Sequence, residues 1–426
     1  MQTAESDHIK LWNREVDVKP ARVVAPTGPD EVSAALRQRD GLPVSVLGGG
    51  HDWAGRSVRR DGLVIDLSRM RRVVVDPVAR IAVLGGGATA ADVIAEAGKY
   101  GLVAATGTVG DVGLTGLTLG GGYGLLAGKH GMAVDNVVAA DVVLADGSYL
   151  HTDATNDPDL FWALRGGGGN FGVVTALEVR LHELDQVLAG FIMFGFEQAA
   201  RVWAGLREVL AEAPGELTVQ SGIFSGPDGS TALLLIPCWS GASTEGEAWI
   251  NRLQRLGTPV FSQVTPMPYG TLLRLYGEQI ADGNHYAIRT RTVRAYAPEV
   301  IEALVEAGRT RTSRWSGIPI HHAHGATTRI PADATAFPHR DPHHVVEIVA
   351  GWRPGDPEPA RHIAWAESVS RSLAPIAEPG GYVNLLGPEA TDQIDEAYGQ
   401  NTARLLSIKR RYDPDNVFAA TGLPRR

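Results

Sequence analysis

The stretch VLGGGHDWAG, Val46–Gly55, places a histidine, His51, directly after three glycines. Glycine has no Cβ, so a run of glycines lets the main chain approach a ligand closely. Asp52 and Trp53 follow His51, and no spacing typical of metal ligands surrounds them. The stretch therefore predicts a bare-backbone loop beside a large ligand, and His51 is either a ligand contact or a polar turn residue.

A second glycine cluster, GGGATA at Gly85–Ala90, fits the G-x-G-x-x-A form of a dinucleotide fingerprint. It follows a predicted strand and opens a predicted helix, as a nicotinamide cofactor site would. However, no acidic residue closes a second strand about 20 residues further on, where the ribose ligand would lie. A structural turn is the favoured interpretation, and a nicotinamide-dependent dehydrogenase is kept as an alternative.

Two more clusters are LTLGGGYG, Leu117–Gly124, and GGGGNFG, Gly166–Gly172. The second runs from a helical pattern into a strand, which is the reverse of the order in a Rossmann fingerprint. Both can still press their backbone against a flat ring. LTLGGGYG and the His51 stretch are each interpreted as a bare-backbone loop suited to contact with a large planar ligand, and each signal is weak by itself.

Bulk properties limit the possible partners. The chain has 426 residues and a net charge of −9 without a Lys/Arg run, which argues against nucleic acid and anionic membranes and favours a small neutral or cationic partner. Its one cysteine, Cys238, excludes an intramolecular disulfide. The start, residues 1–20, has no apolar stretch of the signal-peptide kind, and no run of about 18 apolar residues occurs. We expect a cytoplasmic protein, monomeric or homodimeric, that spans no membrane.

The chain divides into two halves that differ in the order and length of their predicted helices and strands. Up to about residue 182, short β-branched runs alternate with helical patterns, including a helix from Pro29 to a stop at Gly41 and another with Thr89 as its N-cap. From about Leu184, longer elements predict one sheet with helices on one face. The tail predicts a helix followed by a turn at Asp413.

The glycine clusters, taken with their neighbours, resemble the FAD-linked oxidases of the vanillyl-alcohol oxidase superfamily. Within it the chain is similar to the berberine bridge enzyme-like group, and closely to the 6-hydroxy-D-nicotine oxidase type. The matching stretches lie in the same order near both ends of the chain and in its middle. They are GGGHDWAG, VGLTGLTLGGGYGLLAGKHGMAVDNVVAADVVLADG, DLFWALRGGGGNFGVVT, GATTRIPADATAFPHRD and YVN with IKRRYDPDNVF.

The resemblance implies an α+β fold with a two-subdomain PCMH-type FAD-binding domain. Its first part would cover residues 1–182, and residues 379–426 would return to it. A substrate-binding domain with an antiparallel sheet covered by helices would cover residues 183–378.

The resemblance also implies that His51 carries FAD covalently through the 8α-methyl group. Many relatives add a cysteine link in a stretch that corresponds to TVGDVG here, with Val109 where the sulfur would be, so a single covalent bond is predicted. Leu47 and Asp52 depart from the residues common in relatives, which affects the expected diphosphate contacts. No metal is implied. The other implied cofactor contacts are Gly48, Gly49, Gly50, Asp52, Val112, Gly113, Gly116, Leu117, Gly121, Gly122, Gly124, Asp135, Asn136, Gly169, Gly172, Val174 and Asn401.

The implied reaction is hydride transfer from a small alcohol, hemiacetal or amine to flavin N5, followed by reoxidation by O2 to H2O2. Val112 falls where oxygen-reactive relatives have a valine. Tyr382 and Asn384 match the Y-x-N stretch whose tyrosine serves as the base in sugar-oxidising relatives, which requires stabilisation of the phenolate. The alternative is a flavin-dependent cyclisation or rearrangement without net redox change.

Two further groups of residues are pocket candidates from the residues alone. In HHAHG, strand alternation would place His322 and His324 on one side and His321 on the other. We interpret His322 or His324 as a pocket or packing residue rather than a metal ligand, because no third ligand follows. Tyr269 and Tyr276 are either pocket or core residues.

Overall fold

The structure is a computed structural model that describes residues 9–278, 280, 283–419 and 421–425. Residues 1–8, part of the start on which the prediction of no signal peptide rests, lie outside the described residues. No helix among those described is long and apolar enough to cross a membrane. The strands are β1 Arg22–Val24, β2 Val44–Leu47, β3 Leu63–Asp66, β4 Val73–Asp76, β5 Ile81–Gly85, β6 Leu102–Ala104, β7 Val137–Val143, β8 Tyr149–Asp153, β9 Val173–Glu183, β10 Val187–Gly195, β11 Leu217–Ser225, β12 Thr231–Trp239, β13 Pro259–Met267, β14 His285–Val293, β15 Ile318–Ala323 and β16 His343–Trp352. The α-helices are α1 Pro29–Arg37, α2 Ala90–Gly98, α3 Leu114–Gly120, α4 Ala127–His130, α5 Pro158–Leu164, α6 Ala199–Glu212, α7 Ser243–Gln254, α8 Tyr269–Gly277, α9 Pro298–Arg309, α10 Pro359–Leu373, α11 Thr391–Glu396 and α12 Thr402–Tyr412.

The first half of the chain forms two sheets. A small parallel sheet has the order β1-β3-β2, and an antiparallel sheet has the order β4-β5-β9-β7-β8 with β6 paired to β9. Apolar side chains of the small sheet and α1 share one core, which also takes in Phe418 near the C-terminus. The two sheets correspond to the two subdomains of the predicted FAD-binding fold.

The second half forms one antiparallel sheet in the order β13-β10-β12-β11-β15-β16-β14. Apolar residues of α6, α9 and α10 pack against one face of it. This confirms the prediction of one sheet with helices on one face. The other face turns toward the first half of the chain and forms a wall of the cavity described below.

Local details differ from the predicted elements where the backbone turns. The helix α1 ends at Arg37, before the predicted stop at Gly41, because Asp40 and Gly41 adopt positive φ angles of 53° and 78°. Thr89 does cap α2, and its side chain accepts a hydrogen bond from Asp92 N in a capping box. The predicted helical tail is divided into α11 and α12, with Gly399 at a φ of 46° between them.

The C-terminal segment contacts the first half of the chain. Phe418 forms a parallel bridge with Val44. The buried Lys409 ammonium on α12 donates to the carbonyls of Asn170 (2.8 Å) and Phe418 (2.6 Å) and to Asp413 Oδ2 (2.5 Å). These contacts attach α12 to the glycine-rich turn before β9. The exact domain limits stay a prediction.

Candidate active site

A cavity of about 810 Å³ runs between the glycine-rich loops of the first half and the open face of the large sheet. Ligand sites are commonly concave and largely preformed, as this one is. Most of the residues that the sequence analysis singled out lie in its wall. They are Gly48, Gly49, Gly50, His51, Asp52, Val112, Gly113, Gly116, Leu117, Gly169, Gly172, Val174, Tyr382 and Asn384.

Glycines make the cavity wall flat and bare on the side of the first half. Gly49 and Gly113 cross so closely that a Cβ on either would collide with the backbone of the other. At Gly116 and Gly169, by contrast, a Cβ would meet nothing within 4 Å and would project into empty space. The wall is therefore a cradle that side chains would fill, as a large planar cofactor requires.

The cluster at Gly85–Gly87 behaves differently. A Cβ at each of these glycines would collide with a backbone carbonyl, of Met70, Val174 and Leu67 in turn. Gly86 is the member of this cluster in the cavity wall. The glycines are needed for close backbone packing, which agrees with the structural-turn interpretation and not with a nicotinamide site.

His51 lies beside a layer of aromatic rings. The Trp12 indole stacks on the Tyr286 ring at 4.2 Å and lies 6.0 Å from the His51 imidazole. Asn13 fixes this layer, because its Nδ2 donates to the carbonyls of Trp53 (2.7 Å) and Tyr286 (2.9 Å). The chain near residue 12 thus joins the His51 loop to the edge strand β14.

Tyr382 and Asn384 form one hydrogen-bonded unit at the cavity wall. The Tyr382 hydroxyl accepts from Gly122 N (2.9 Å) and from Asn384 Nδ2 (2.8 Å), and Asn384 Nδ2 also donates to Leu117 O (3.0 Å). Burial raises the pKa of Tyr382 to about 12, although both donors act in the opposite direction. At neutral pH the Tyr382 phenol therefore holds its proton.

The segment that carries Tyr382 and Asn384 is held by Arg56, which the sequence analysis missed. Arg56 donates to the carbonyls of Val383 (2.9 Å), Asn384 (2.9 Å) and Leu386 (3.3 Å). Its Nε and Nη2 also pair with Asp52 Oδ1 at 2.8 and 2.5 Å. Asp52, a departure from relatives, therefore binds an arginine and links the His51 loop to the Tyr382 segment.

Six predicted cofactor contacts lie outside the cavity wall and support neighbouring loops. Asp135 forms a buried ion pair with Arg340 at 2.9 Å. Asn401 donates to the carbonyls of Ala332 and Thr335. Asn136 donates to the carbonyls of His130 and Met132, so these polar groups organise the chain around α4 and the loop before β16. The others are Gly121, Gly122 and Gly124, where an added Cβ would crowd the side chain of Phe337 and collide with the side chain of Ala133 and with the backbone of Thr106, respectively.

The sheet side of the cavity carries a polar pair. His321 on β15 and Glu347 on β16 both line the wall, with His321 Nε2 3.3 Å from Glu347 Oε2. Gln220 Nε2 lies 2.5 Å from His321 Nδ1. A charged residue within the apolar run of β16 was the available signal for Glu347. Tyr276 also lines the wall, whereas Tyr269 belongs to the core.

The alternation predicted for HHAHG is correct, but His321 is the member that faces the cavity. His322 and His324 stack on each other at 4.0 Å on the opposite side, and His344 stacks on His322 at 4.9 Å. Burial lowers the pKa of His324 to about 4 and of His344 to about 3. In the described part of the chain, no group of His, Cys, Asp or Glu is arranged to hold a metal ion.

An aromatic contact borders Tyr382. The Tyr123 ring meets the Tyr382 ring edge-on at 4.8 Å, and the Tyr123 hydroxyl lies 2.6 Å from His343 Nε2. His343 Nδ1 is 2.7 Å from Asp341 O, which can only accept, so Nε2 accepts from Tyr123 when the ring is neutral. Burial lowers the pKa of His343 to about 4, which keeps it neutral near pH 7.

Val109 lies in the cavity wall, whereas Cys238 is buried in β12 and is absent from that wall. A thiol for a second flavin bond is therefore missing from the place where the resemblance puts it.

Comparisons with known proteins cover nearly the whole chain. A family model described as FAD binding domain matches residues 20–153, and one described as berberine and berberine like matches residues 381–421. The (R)-6-hydroxynicotine oxidase of Paenarthrobacter nicotinovorans is 30% identical, over 96% of this chain and 92% of the relative.

Solved structures agree with this relationship. The structure of 6-hydroxy-D-nicotine oxidase from Arthrobacter nicotinovorans has a TM-score of 0.89 and 28% identity, and covers 97% of this chain and 93% of its own. Glucooligosaccharide oxidase from Acremonium strictum, described with a 6-S-cysteinyl, 8α-N1-histidyl FAD, has a TM-score of 0.88 at 23% identity, with 99% and 97% covered. At 23% identity, the glucooligosaccharide oxidase structure shows only that the fold is shared.

Proposed function

This chain belongs to the berberine bridge enzyme-like family of FAD-linked oxidoreductases, and we propose that it is an oxidase that removes hydride from a small alcohol, hemiacetal or amine. FAD is its cofactor, and when bound it supplies the two-electron acceptor. The observation that carries the proposal is one continuous cavity. It combines a glycine cradle beside His51 with the polar groups of Tyr382, His321 and Glu347.

His51 would attach the cofactor through one covalent bond. It follows the cradle glycines directly and lies in the cavity wall, as an imidazole bonded to the flavin 8α position would. Val109 offers no sulfur for a second bond. Gly49, Gly113 and Gly116 would bind the cofactor with their main chain.

Tyr382 would take the proton of the substrate hydroxyl or amine. Gly122 N and Asn384 Nδ2 both donate to its oxygen, and such donors favour the phenolate. Burial acts against them and keeps the pKa at about 12, so the base form is scarce at neutral pH. His321 and Glu347 on the opposite wall would bind and orient the same substrate.

Reoxidation by O2 to H2O2 is proposed from Val112, which lies in the wall with a short side chain. The cyclisation or rearrangement alternative is not favoured, because the relatives reported above are oxidases.

The experiment is to record oxygen uptake and H2O2 formation with a panel of alcohols, sugars and amines. The proposal predicts that at least one compound bleaches the bound flavin without air, and that O2 restores the colour with one H2O2 per turnover. Bleaching that air does not reverse would contradict the oxidase assignment. A flavin that no compound on the panel reduces would count against the substrate classes.

A further inference from the structure

Three arginines lie close to Trp315 and Ser316 at an exposed edge of the cavity, and one of them, Arg314, lines the cavity itself. Arg314 and Trp315 precede β15 and line the cavity, and Arg314 is exposed to solvent as well. The guanidinium carbons of Arg314 and Arg353 lie 5.3 and 4.9 Å from the centroid of the Trp315 ring. Arg311 donates to Ser316 O beside them at 3.2 Å. We refer to Arg311, Arg314, Arg353 and Trp315 as the mouth cluster.

Among the residues that the structure describes, no carboxylate forms an ion pair with Arg311, Arg314 or Arg353. The Asp228 carboxylate accepts from Ser230 N and Oγ, and Asp356 Oδ2 lies 3.3 Å from His362 Nε2, so neither is paired with an arginine of the cluster. Burial and the charge of Arg314 lower the pKa of Arg311, as expected when like charges are close. Arg56, the other arginine in the cavity wall, is paired with Asp52.

The cation–π contacts hold these guanidinium groups in place. A guanidinium over an indole is attracted by the ring, which offsets the repulsion between neighbouring cations. Guanidinium groups also present a planar fork of donors that matches a carboxylate. The mouth cluster is therefore preorganised for an anion of this shape.

The position of the mouth cluster suits one end of a small substrate. Gly317 pairs with Val349 and Ile320 with Val346, so the cluster lies toward the end of β16 beyond Glu347. Trp315 and Pro319 are four residue steps apart along the chain, so their Cα atoms are separated by at most ~14 Å. A molecule of that length or less reaches from the mouth cluster to the wall that carries Glu347.

We propose that the mouth cluster binds a carboxylate group of the substrate. The inference rests on the proposed function and narrows its substrate class to carboxylate-bearing alcohols or amines. The net charge of −9 favoured a neutral or cationic partner, but the charge at the entrance is the opposite of the average. The mouth cluster therefore attracts an anion locally, although the net negative charge of the whole protein would repel it.

The test is isothermal titration calorimetry of the purified protein with benzoate and with benzamide, its neutral isostere, at equal ionic strength. The variants are Arg314→Gln and Arg353→Gln, and Arg207→Gln on α6 is the control because α6 lies on the helix-covered face. Melting temperatures check that each variant is folded.

We expect the unaltered protein to bind benzoate about tenfold more tightly than benzamide. Each mouth variant should lose about tenfold in benzoate affinity and leave benzamide and the control unchanged. Equal affinity for both probes, binding of neither, or benzoate affinity that survives both mouth substitutions would overturn the inference. Calorimetry needs no turnover, so loss of the oxidase assignment and loss of the carboxylate site are separate results.

Discussion

At the scale of single residues, the Tyr382 hydroxyl carries the chemical argument. Two N–H groups stabilise its deprotonated form and burial opposes them. A base must be deprotonated to act, so flavin reduction should accelerate as pH rises toward the Tyr382 pKa of about 12. The sequence indicated this residue through Y-x-N, but the balance between burial and hydrogen bonding needed the fold.

Tyr382→Phe should slow flavin reduction by about 10²-fold and abolish its rise with pH, as measured by anaerobic stopped-flow absorbance. Tyr398→Phe is the matched control, because Tyr398 is equally buried and its hydroxyl has no partner among the described residues. A Tyr382→Phe profile that keeps the alkaline rise would assign the base to another group.

A substitution at Gly116 tests whether the glycine-lined cavity wall holds the cofactor. Gly116→Val keeps a helical backbone and places a side chain in the empty space where the cofactor would lie, so we expect loss of most bound FAD. The ratio of flavin absorbance at roughly 450 nm to protein absorbance at roughly 280 nm measures the FAD content. Gly98→Val on α2, where a Cβ also meets nothing, should keep full FAD content. Equal FAD content in both variants would show that the cofactor does not lie against this wall.

At the scale of elements, Arg56 joins the His51 loop to the turn at residues 382–386. Arg56→Gln removes the donors that hold three carbonyls of that turn, and misplaced groups can cost about 10²-fold in rate. We expect a lower kcat, unchanged FAD content and a smaller rise of rate with pH. Arg60→Gln, on the exposed surface nearby, is the control. A change in KM with an unchanged kcat would indicate a different role for Arg56.

Element patterns explain both what was predictable and what was not. Strand alternation correctly separated His321 from His322 and His324, but alternation does not say which face meets a cavity. The face of β15 that meets the cavity is the one that faces the first half of the chain, whereas α6, α9 and α10 cover the other face of the sheet. Arg56 was invisible for a related reason, because its partner Leu386 lies 330 residues away and no local pattern links them.

At the scale of the whole molecule, motifs in separate parts of the chain predicted the fold, and three of them contain a glycine cluster that meets a local backbone requirement. Three of the six predicted contacts outside the cavity wall are polar side chains, which no local backbone requirement selects. Asp135, Asn136 and Asn401 hold neighbouring loops, and a sequence motif does not distinguish a ligand contact from the support behind it.

The buried histidine stack should make the protein sensitive to acid. His322, His324 and His344 have pKa values lowered by burial, so the unfolded chain, with pKa near 6.5, binds more protons below that pH. Stability is therefore lost as pH falls from about 6.5 toward 4, by roughly 1.4 kcal/mol per pH unit for each histidine at most. Urea unfolding at pH 7.5 and pH 5 measures this loss.

His344→Asn should make that loss smaller. His151→Asn is the control, because Asp141 raises the pKa of the exposed His151 and its removal acts in the opposite direction. A His344→Asn variant as acid-sensitive as the unaltered protein would show that the stack does not titrate on unfolding.

The proposed function depends on His51, which we propose to be the one residue that binds FAD covalently. The most direct measurement is the intact mass of the denatured protein, compared among the unaltered chain, His51→Ala and His321→Ala. We expect the added mass of one FAD in the unaltered chain and in His321→Ala, and none in His51→Ala. An unmodified mass for the unaltered chain, or added mass that persists in His51→Ala, would contradict this proposal.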